Sequence, residues 1–114
     1  MGSELLQAIQ AHLTKNMRLS QPAIERLLVL ARRNIGQNIH QLVAQLDADP
    51  DQAVRAAHAL KGNLANLGLT DLSHKISKLE QDIREGRFDE VRQRVLGVDE
   101  ALEVFINRDT TIRR

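Results

Sequence analysis

The chain has 114 residues, of which 42% are hydrophobic and 27% charged, and its formal net charge is +1. A chain of this length is large enough for one hydrophobic core, and its apolar content is too high for a disordered protein. The near-neutral charge argues against a polyanion-binding protein, the lack of cysteine excludes thiolate chemistry, and no apolar run approaches the roughly 20 residues of a membrane span. We therefore expect one domain over residues 1–114, located in the cytoplasm.

The N-terminal region predicts a short amphipathic helix and the start of a longer one. Residues 3–15 place one apolar side chain on each turn: Leu5, Ile9 and Leu13. The next helix begins after Ser20, a good N-cap, with Pro22 in its first turn. Its apolar positions are Ile24, Leu27, Leu28, Ala31, Ile35, Ile39, Leu42, Val43 and Leu46. We predict that it ends near Asp47 and that Gly36 is a point where it could bend.

Two further helices are predicted between Asp49 and Gly86. Asp49 can cap the third helix and Pro50 suits its first position. The apolar stripe of this helix is Ala53, Ala57, Leu60, Leu64 and Leu67. Gly68 is typical of the left-handed residue that ends a helix. Thr70 is predicted to cap the fourth helix, whose inner face is Leu72, Ile76, Leu79 and Ile83.

The last predicted helix spans residues 89–107, with one apolar face formed by Val91, Val95, Val98, Leu102, Phe105 and Ile106. No stretch alternates with period two, so no strand is predicted. The fold class is therefore all-α, an antiparallel four-helix bundle with a short additional N-terminal helix. Residues 1–3 look like a cloning remnant, and the polar tail 109–114 is expected to fray.

One histidine has an unusual setting in the third helix. His58 is followed by Lys61 and Gly62, and residues three and four apart share one side of a helix. The imidazole points away from the apolar stripe, and it is a side chain that is both nucleophilic and largely neutral near pH 7. Lys61 can approach an anion held there, while Gly62, costly within a helix, would leave clearance. The alternative is a solvated or structural histidine without chemical function.

Three short motifs extend this setting along the chain. They are a His-x-Leu-Lys-Gly core, a Leu-Gly helix end and a Leu-Glu pair, found at Ala57-His58-Ala59-Leu60-Lys61-Gly62, Leu67-Gly68-Leu69 with Leu72, and Leu79-Glu80. Together they resemble the histidine phosphotransfer (HPt) domain of bacterial phosphorelays. The resemblance covers roughly residues 24–87. Val29-Leu30-Ala31 departs from it, because the family often has a Phe there.

The resemblance implies a phosphorelay carrier. His58 would take a phosphoryl group from a receiver-domain aspartyl phosphate and pass it to another receiver Asp. Lys61 would offset the phosphate charge, and Gly62 would leave room for it. The sequence has no phosphate-binding loop for ATP, so we expect no autonomous kinase activity and no bound cofactor, with Mg²⁺ supplied by the receiver. A free-standing carrier and the C-terminal domain of a hybrid sensor kinase, which would attach it to a larger parent protein, both fit.

Helical phase also predicts a docking surface for the receiver. Arg55, Ala65 and Leu69 are in register with His58, and Ala59 lies beside it. An exposed patch of small and apolar residues with a charged rim is a reasonable partner site. For Leu69 the alternative is simple packing at the loop.

Two other functions are open at this point. One is a phosphate-independent helical adaptor that binds a signalling partner by the same face. The other is a basic nucleic-acid binder, which is disfavoured because acidic residues are interspersed with the basic ones and the only aromatic residues are Phe88 and Phe105. His12, His40 and His74 lie on three different predicted helices, so no metal site is predicted. We expect no nucleic acid and no membrane contact.

Overall fold

A computed structural model describes residues 2–106 of the chain. Five α-helices follow one another as α1 (Gly2–Ala11), α2 (Gln21–Gln45), α3 (Pro50–Asn66), α4 (Thr70–Arg84) and α5 (Phe88–Ile106), with a π-helical stretch, His12–Asn16, after α1. Residues 2–106 contain no strand, which confirms the all-α prediction. No helix in this range is long and apolar enough to cross a membrane. The predicted frayed tail, residues 109–114, lies outside the described residues.

Helices α2 and α3 begin where local side-chain chemistry predicts. Ser20 Oγ accepts a hydrogen bond from the amide of Ala23 at 3.3 Å, and Asp49 Oδ1 accepts one from Gln52 at 3.4 Å. These bonds satisfy backbone N–H groups that lack a partner in the first helical turn. The predicted cap at Thr70 is wrong. Thr70 is the first helical residue of α4, and Leu69 precedes it without a side-chain cap.

Helices α3 and α4 both end at a glycine with left-handed backbone, which confirms the prediction made for Gly68. The φ angles are +80° at Gly68 and +78° at Gly86. The next amide donates to the carbonyl five residues earlier, from Leu69 to Leu64 and from Arg87 to Asp82, at 3.0 and 2.9 Å. This pattern is the Schellman motif. It closes the α3–α4 turn so tightly that α4 starts directly after Leu69, which explains the misplaced cap.

The four long helices pack in a cycle. Helix α3 lies between α2 and α4, α5 contacts both α2 and α4, and α1 packs on α5. The core between them is almost entirely aliphatic. Its one aromatic member among the fully buried residues described is Phe105, near the end of α5. Val43 was predicted inside but is 48% exposed, because it lies at the edge of an apolar stripe wider than the neighbouring helices cover. Leu27, Ala31 and Leu72, also predicted inside, are only partly buried.

A buried carboxylate fastens the α4–α5 hairpin. The side chain of Asp82 is fully buried, and three cations surround it: Arg94 at 2.6 Å, Lys78 at 3.4 Å and Arg87 at 3.8 Å. They come from α5, from α4 and from the turn that joins these helices. A buried charge is tolerated when it is paired in this way. Asp82 therefore fixes the position of α5 relative to α4.

Asp82→Asn is expected to lower the free energy of unfolding by about 2 kcal/mol, because a charge-assisted hydrogen bond is lost while the freed cations stay solvated. Urea denaturation measures this change. The matched control is Asp47→Asn, which removes an ion pair with Arg92. The side chain of Asp47 is 71% exposed. Exposed pairs contribute little, so the control should lose much less stability. Equal losses of stability in the two variants would contradict the role of the buried Asp82 carboxylate in fixing α5 relative to α4.

Candidate functional site

His58 lies in the middle of α3 with its side chain 71% exposed. The opposite side of the helix carries Ala53, Ala57, Leu60 and Leu64, all of which are buried in the core. The 3.6-residue period that buries those four side chains therefore turns the imidazole outward. The structure thus confirms the exposure of His58 that helical phase predicts.

A buried carboxylate from the next helix faces this imidazole. Glu80 of α4 is only 7% exposed, and its Oε1 atom is 3.7 Å from Nδ1 of His58 and 2.9 Å from Nζ of Lys61. Its Oε2 atom is 3.6 Å from the guanidinium of Arg84. One carboxylate thus gathers an imidazole and two cations. The site is built across α3 and α4 rather than on α3 alone.

The Leu79-Glu80 pair belongs to the motifs of the sequence, but the contact of Glu80 with His58 and Lys61 was not predicted. A signal was present, because Glu80 follows Ile76 by four residues and precedes Ile83 by three, and both isoleucines are buried. A carboxylate on the inner face of an amphipathic helix requires a partner. Helical phase alone does not identify that partner, since it lies on another helix.

The position of Glu80 distinguishes the two ring nitrogens of His58. At 3.7 Å the contact with Nδ1 is longer than a hydrogen bond, so it acts through charge. Nδ1 is therefore the ring nitrogen that faces the carboxylate, and Nε2 is on the other edge of the ring.

Lys61 is held in place by contacts of both its side chain and its backbone. The side chain is 30% exposed and pairs with the same Glu80 oxygen that faces His58. Its carbonyl oxygen accepts a hydrogen bond from the hydroxyl of Ser73 at 3.2 Å, which ties α3 to α4. The ammonium and the imidazole therefore lie near the same carboxylate oxygen.

Gly62 has open space on its surface side. A Cβ atom added to this residue would meet no other heavy atom within 4 Å, and its φ is not in the left-handed region. Neither the backbone conformation nor the packing of the chain requires a glycine here. Glycine costs about 1 kcal/mol in a helix interior relative to alanine, so Gly62 lowers the stability of α3.

The predicted docking residues separate into two groups. Arg55, Ala59 and Ala65 are exposed on the face of α3 that carries His58. Leu69 is only 9% exposed and belongs to the hydrophobic core, so its expected place on the surface patch is wrong. The physical reason is the Schellman turn at Gly68, which ends the register of α3 and turns the following residue back toward the helix.

The other histidines lie apart from this site. His40 and His74 are exposed on α2 and α4. His12 is partly buried, and its Nδ1 atom is 3.0 Å from the side-chain nitrogen of Asn16. Its ring also packs against the α3–α4 turn, where a Cβ on Gly68 would come within 2.5 Å of it. Within residues 2–106 no three His, Asp or Glu side chains converge so that they could hold a metal ion.

An exposed imidazole, a neighbouring lysine and a buried carboxylate thus lie together on two packed helices. The sequence model of the Hpt domain matches residues 2–107, so the chain belongs to the Hpt domain family. Hpt domains carry phosphohistidine in two-component phosphorelays and interact with receiver domains. No curated protein and no solved structure matches the chain.

Proposed function

We propose that His58 of this chain accepts a phosphoryl group from the aspartyl phosphate of one receiver domain and passes it to an aspartate of another. The observation that carries this proposal is the position of the ring, which is 71% exposed and has Nδ1 toward buried Glu80. A negative charge beside Nδ1 favours the tautomer with its proton on that atom, so Nε2, on the other edge of the ring, is the proposed nucleophile. Lys61 and the open surface at Gly62 lie beside it. The packing cycle of α2 to α5 supports the antiparallel four-helix bundle expected of such a carrier.

The transfer step is a displacement at phosphorus. Nε2 of His58 forms the N–P bond, and the bond between phosphorus and the aspartyl oxygen of the receiver breaks, which returns a carboxylate to the receiver. The imidazole keeps its proton on Nδ1 and becomes cationic, so the negative charge of Glu80 stabilises the product. The reverse displacement, by an aspartate of the second receiver, regenerates neutral His58.

Lys61 is proposed to balance the charge that the phosphoryl group brings. Its ammonium can turn from Glu80 toward the phosphoryl oxygens while Arg84 keeps the carboxylate paired. We propose that the chain itself binds no cofactor and has no kinase activity of its own. Mg²⁺ and the acidic residues that hold it would be supplied by the receiver.

The receiver is proposed to dock on the exposed face of α3. Arg55 lies one turn before His58, and Ala59 and Ala65 are small enough to let a partner surface approach closely. Such docking positions the receiver aspartate in line with Nε2, which is the main catalytic contribution of a carrier. We expect this exchange to take place in the cytoplasm, as is typical of Hpt domains.

Incubation with purified receiver domains that carry radiolabelled aspartyl phosphate tests the proposal. A carrier takes up label that is stable in alkali and labile in acid, the behaviour of phosphohistidine. The second candidate, a phosphate-independent adaptor, predicts binding of a receiver without transfer of label, and binding that survives His58→Ala. Binding of that kind to every receiver tested, with no label on this chain, would overturn the carrier proposal.

Lys61→Gln is expected to slow phosphoryl uptake about tenfold, because roughly 1.4 kcal/mol of charge stabilisation corresponds to a factor of ten in rate. The rate is measured with phosphoramidate, a small donor that needs no docking surface. Lys61→Arg, which keeps the positive charge, should recover part of the rate, and Lys75→Gln, on the far side of α4, should leave it unchanged. An unaltered rate in Lys61→Gln would remove this residue from the mechanism.

A further inference from the structure

A cavity lies between α4 and α5, away from His58. Its volume is about 480 Å³, and it is lined by Lys75, Lys78, Leu79, Arg94, Gly97 and Val98. Each residue of a helix is rotated by about 100° from the one before it, so Lys78 and Leu79 project in different directions from Glu80. The side of α4 that forms this cavity is therefore not the side that faces His58.

The floor of the cavity is apolar and its opening depends on a missing side chain. Leu79 and Val98 are 1% and 4% exposed and belong to the core. Gly97 lies in the interior of α5, where an added Cβ would meet no heavy atom within 4 Å. The fold gains nothing from glycine at this position and loses about 1 kcal/mol relative to alanine. The absent side chain instead leaves the groove accessible from solvent.

The rim of the cavity is cationic. Lys75 is exposed and forms no ion pair with any side chain of residues 2–106. Lys78 and Arg94 are 47% and 46% exposed, and the carboxylate of Asp82 that they share is fully buried beneath them. Glu90 adds one distant contact to Arg94, at 4.0 Å. The surface near the groove thus keeps a positive excess, with N–H donors that the chain does not use.

We propose that this groove binds a small amphipathic organic anion, such as a carboxylate with an aliphatic or aromatic body. The apolar part would lie on Leu79 and Val98 in the space left by Gly97, and the anionic group would pair with Lys75 at the rim. The cavity volume falls within the range of about 300 to 1,000 Å³ that small-molecule sites occupy. The charged rim excludes cations and disfavours neutral ligands of the same shape.

The probe for this site is 8-anilinonaphthalene-1-sulfonate, an aromatic anion whose fluorescence rises in apolar surroundings, titrated into the intact chain. We expect saturable binding of one probe per chain, with displacement by decanoate and much weaker displacement by the neutral decanol. Gly97→Leu fills the groove and should weaken binding at least tenfold. Gly62→Leu, at another helix-interior glycine with open space, is the matched control and should leave binding unchanged.

Lys75→Gln tests the charge independently of the cavity, and it should weaken binding of the anion several-fold while leaving circular dichroism unchanged. If Gly97→Leu fails to fold, Lys75→Gln and the comparison of decanoate with decanol decide the question. The proposal is overturned if the probe does not saturate, if Gly97→Leu and Gly62→Leu reduce binding equally, or if decanol displaces the probe as well as decanoate. None of these results bears on phosphoryl transfer, because the groove is on the side of α4 that does not face His58 of α3.

Discussion

His58→Gln is expected to reduce phosphoryl uptake to the background level, with both a phosphorylated receiver and phosphoramidate as donor. The amide of glutamine has no nucleophilic nitrogen, so the N–P bond cannot form. The side chain it replaces is 71% exposed, so the free energy of unfolding should stay within about 0.5 kcal/mol of the wild-type value. Uptake is measured as alkali-stable label on the protein, and stability by urea denaturation.

The matched control is His74→Gln, which removes an exposed histidine from the neighbouring helix α4. This variant should take up label at the wild-type rate. Alkali-stable label on His58→Gln, or loss of label in His74→Gln, would show that a different histidine carries the phosphoryl group.

Gly62→Ala and Gly62→Leu are expected to separate folding from function. Because nothing in the chain occupies the space above Gly62, alanine should raise the free energy of unfolding by about 1 kcal/mol. The same added atoms lie where a phosphoryl group or a receiver must approach His58. We therefore expect transfer from the receiver to slow in Gly62→Ala and to be lost in Gly62→Leu, although both variants fold.

Gly97→Ala provides the matched control, since Gly97 is also inside a helix with open space around it. It should gain similar stability and transfer phosphate normally. The two phosphoryl donors distinguish where the added side chain at Gly62 obstructs transfer. A slower rate with phosphoramidate indicates that it crowds the phosphoryl group at His58. A slower rate with the receiver alone indicates that it crowds the docked partner. Wild-type transfer in Gly62→Leu would show that the glycine is not there for clearance.

Features determined by local chemistry could be predicted from the sequence. Ser20 and Asp49 cap helices because their side chains reach amides three residues on, and Gly68 and Gly86 end helices because glycine adopts positive φ without strain. The exposure of His58 follows from helical period alone. Each of these features depends only on residues within one or two helical turns of it.

Features determined by packing between helices could not be predicted in this way. The burial of Leu69 depends on the direction in which the chain leaves the α3–α4 turn, and the exposure of Val43 depends on how far the neighbouring helices extend. Glu80 and Lys61 meet across two helices, at a separation that no periodicity encodes. Helical phase thus predicted that His58 and Lys61 share one side of α3, but not that the Glu80 carboxylate of α4 lies beside them.

Nε2 of His58 is the atom proposed to carry the phosphoryl group. Nuclear magnetic resonance of the ¹⁵N-labelled chain, recorded before and after incubation with a phosphorylated receiver, tests it most directly. The result expected is coupling of phosphorus to Nε2 of His58, with a proton on Nδ1 and with the rings of His12, His40 and His74 unchanged. Phosphorus bonded to Nδ1 of His58, or to any other ring, would contradict the geometry on which the proposed mechanism rests.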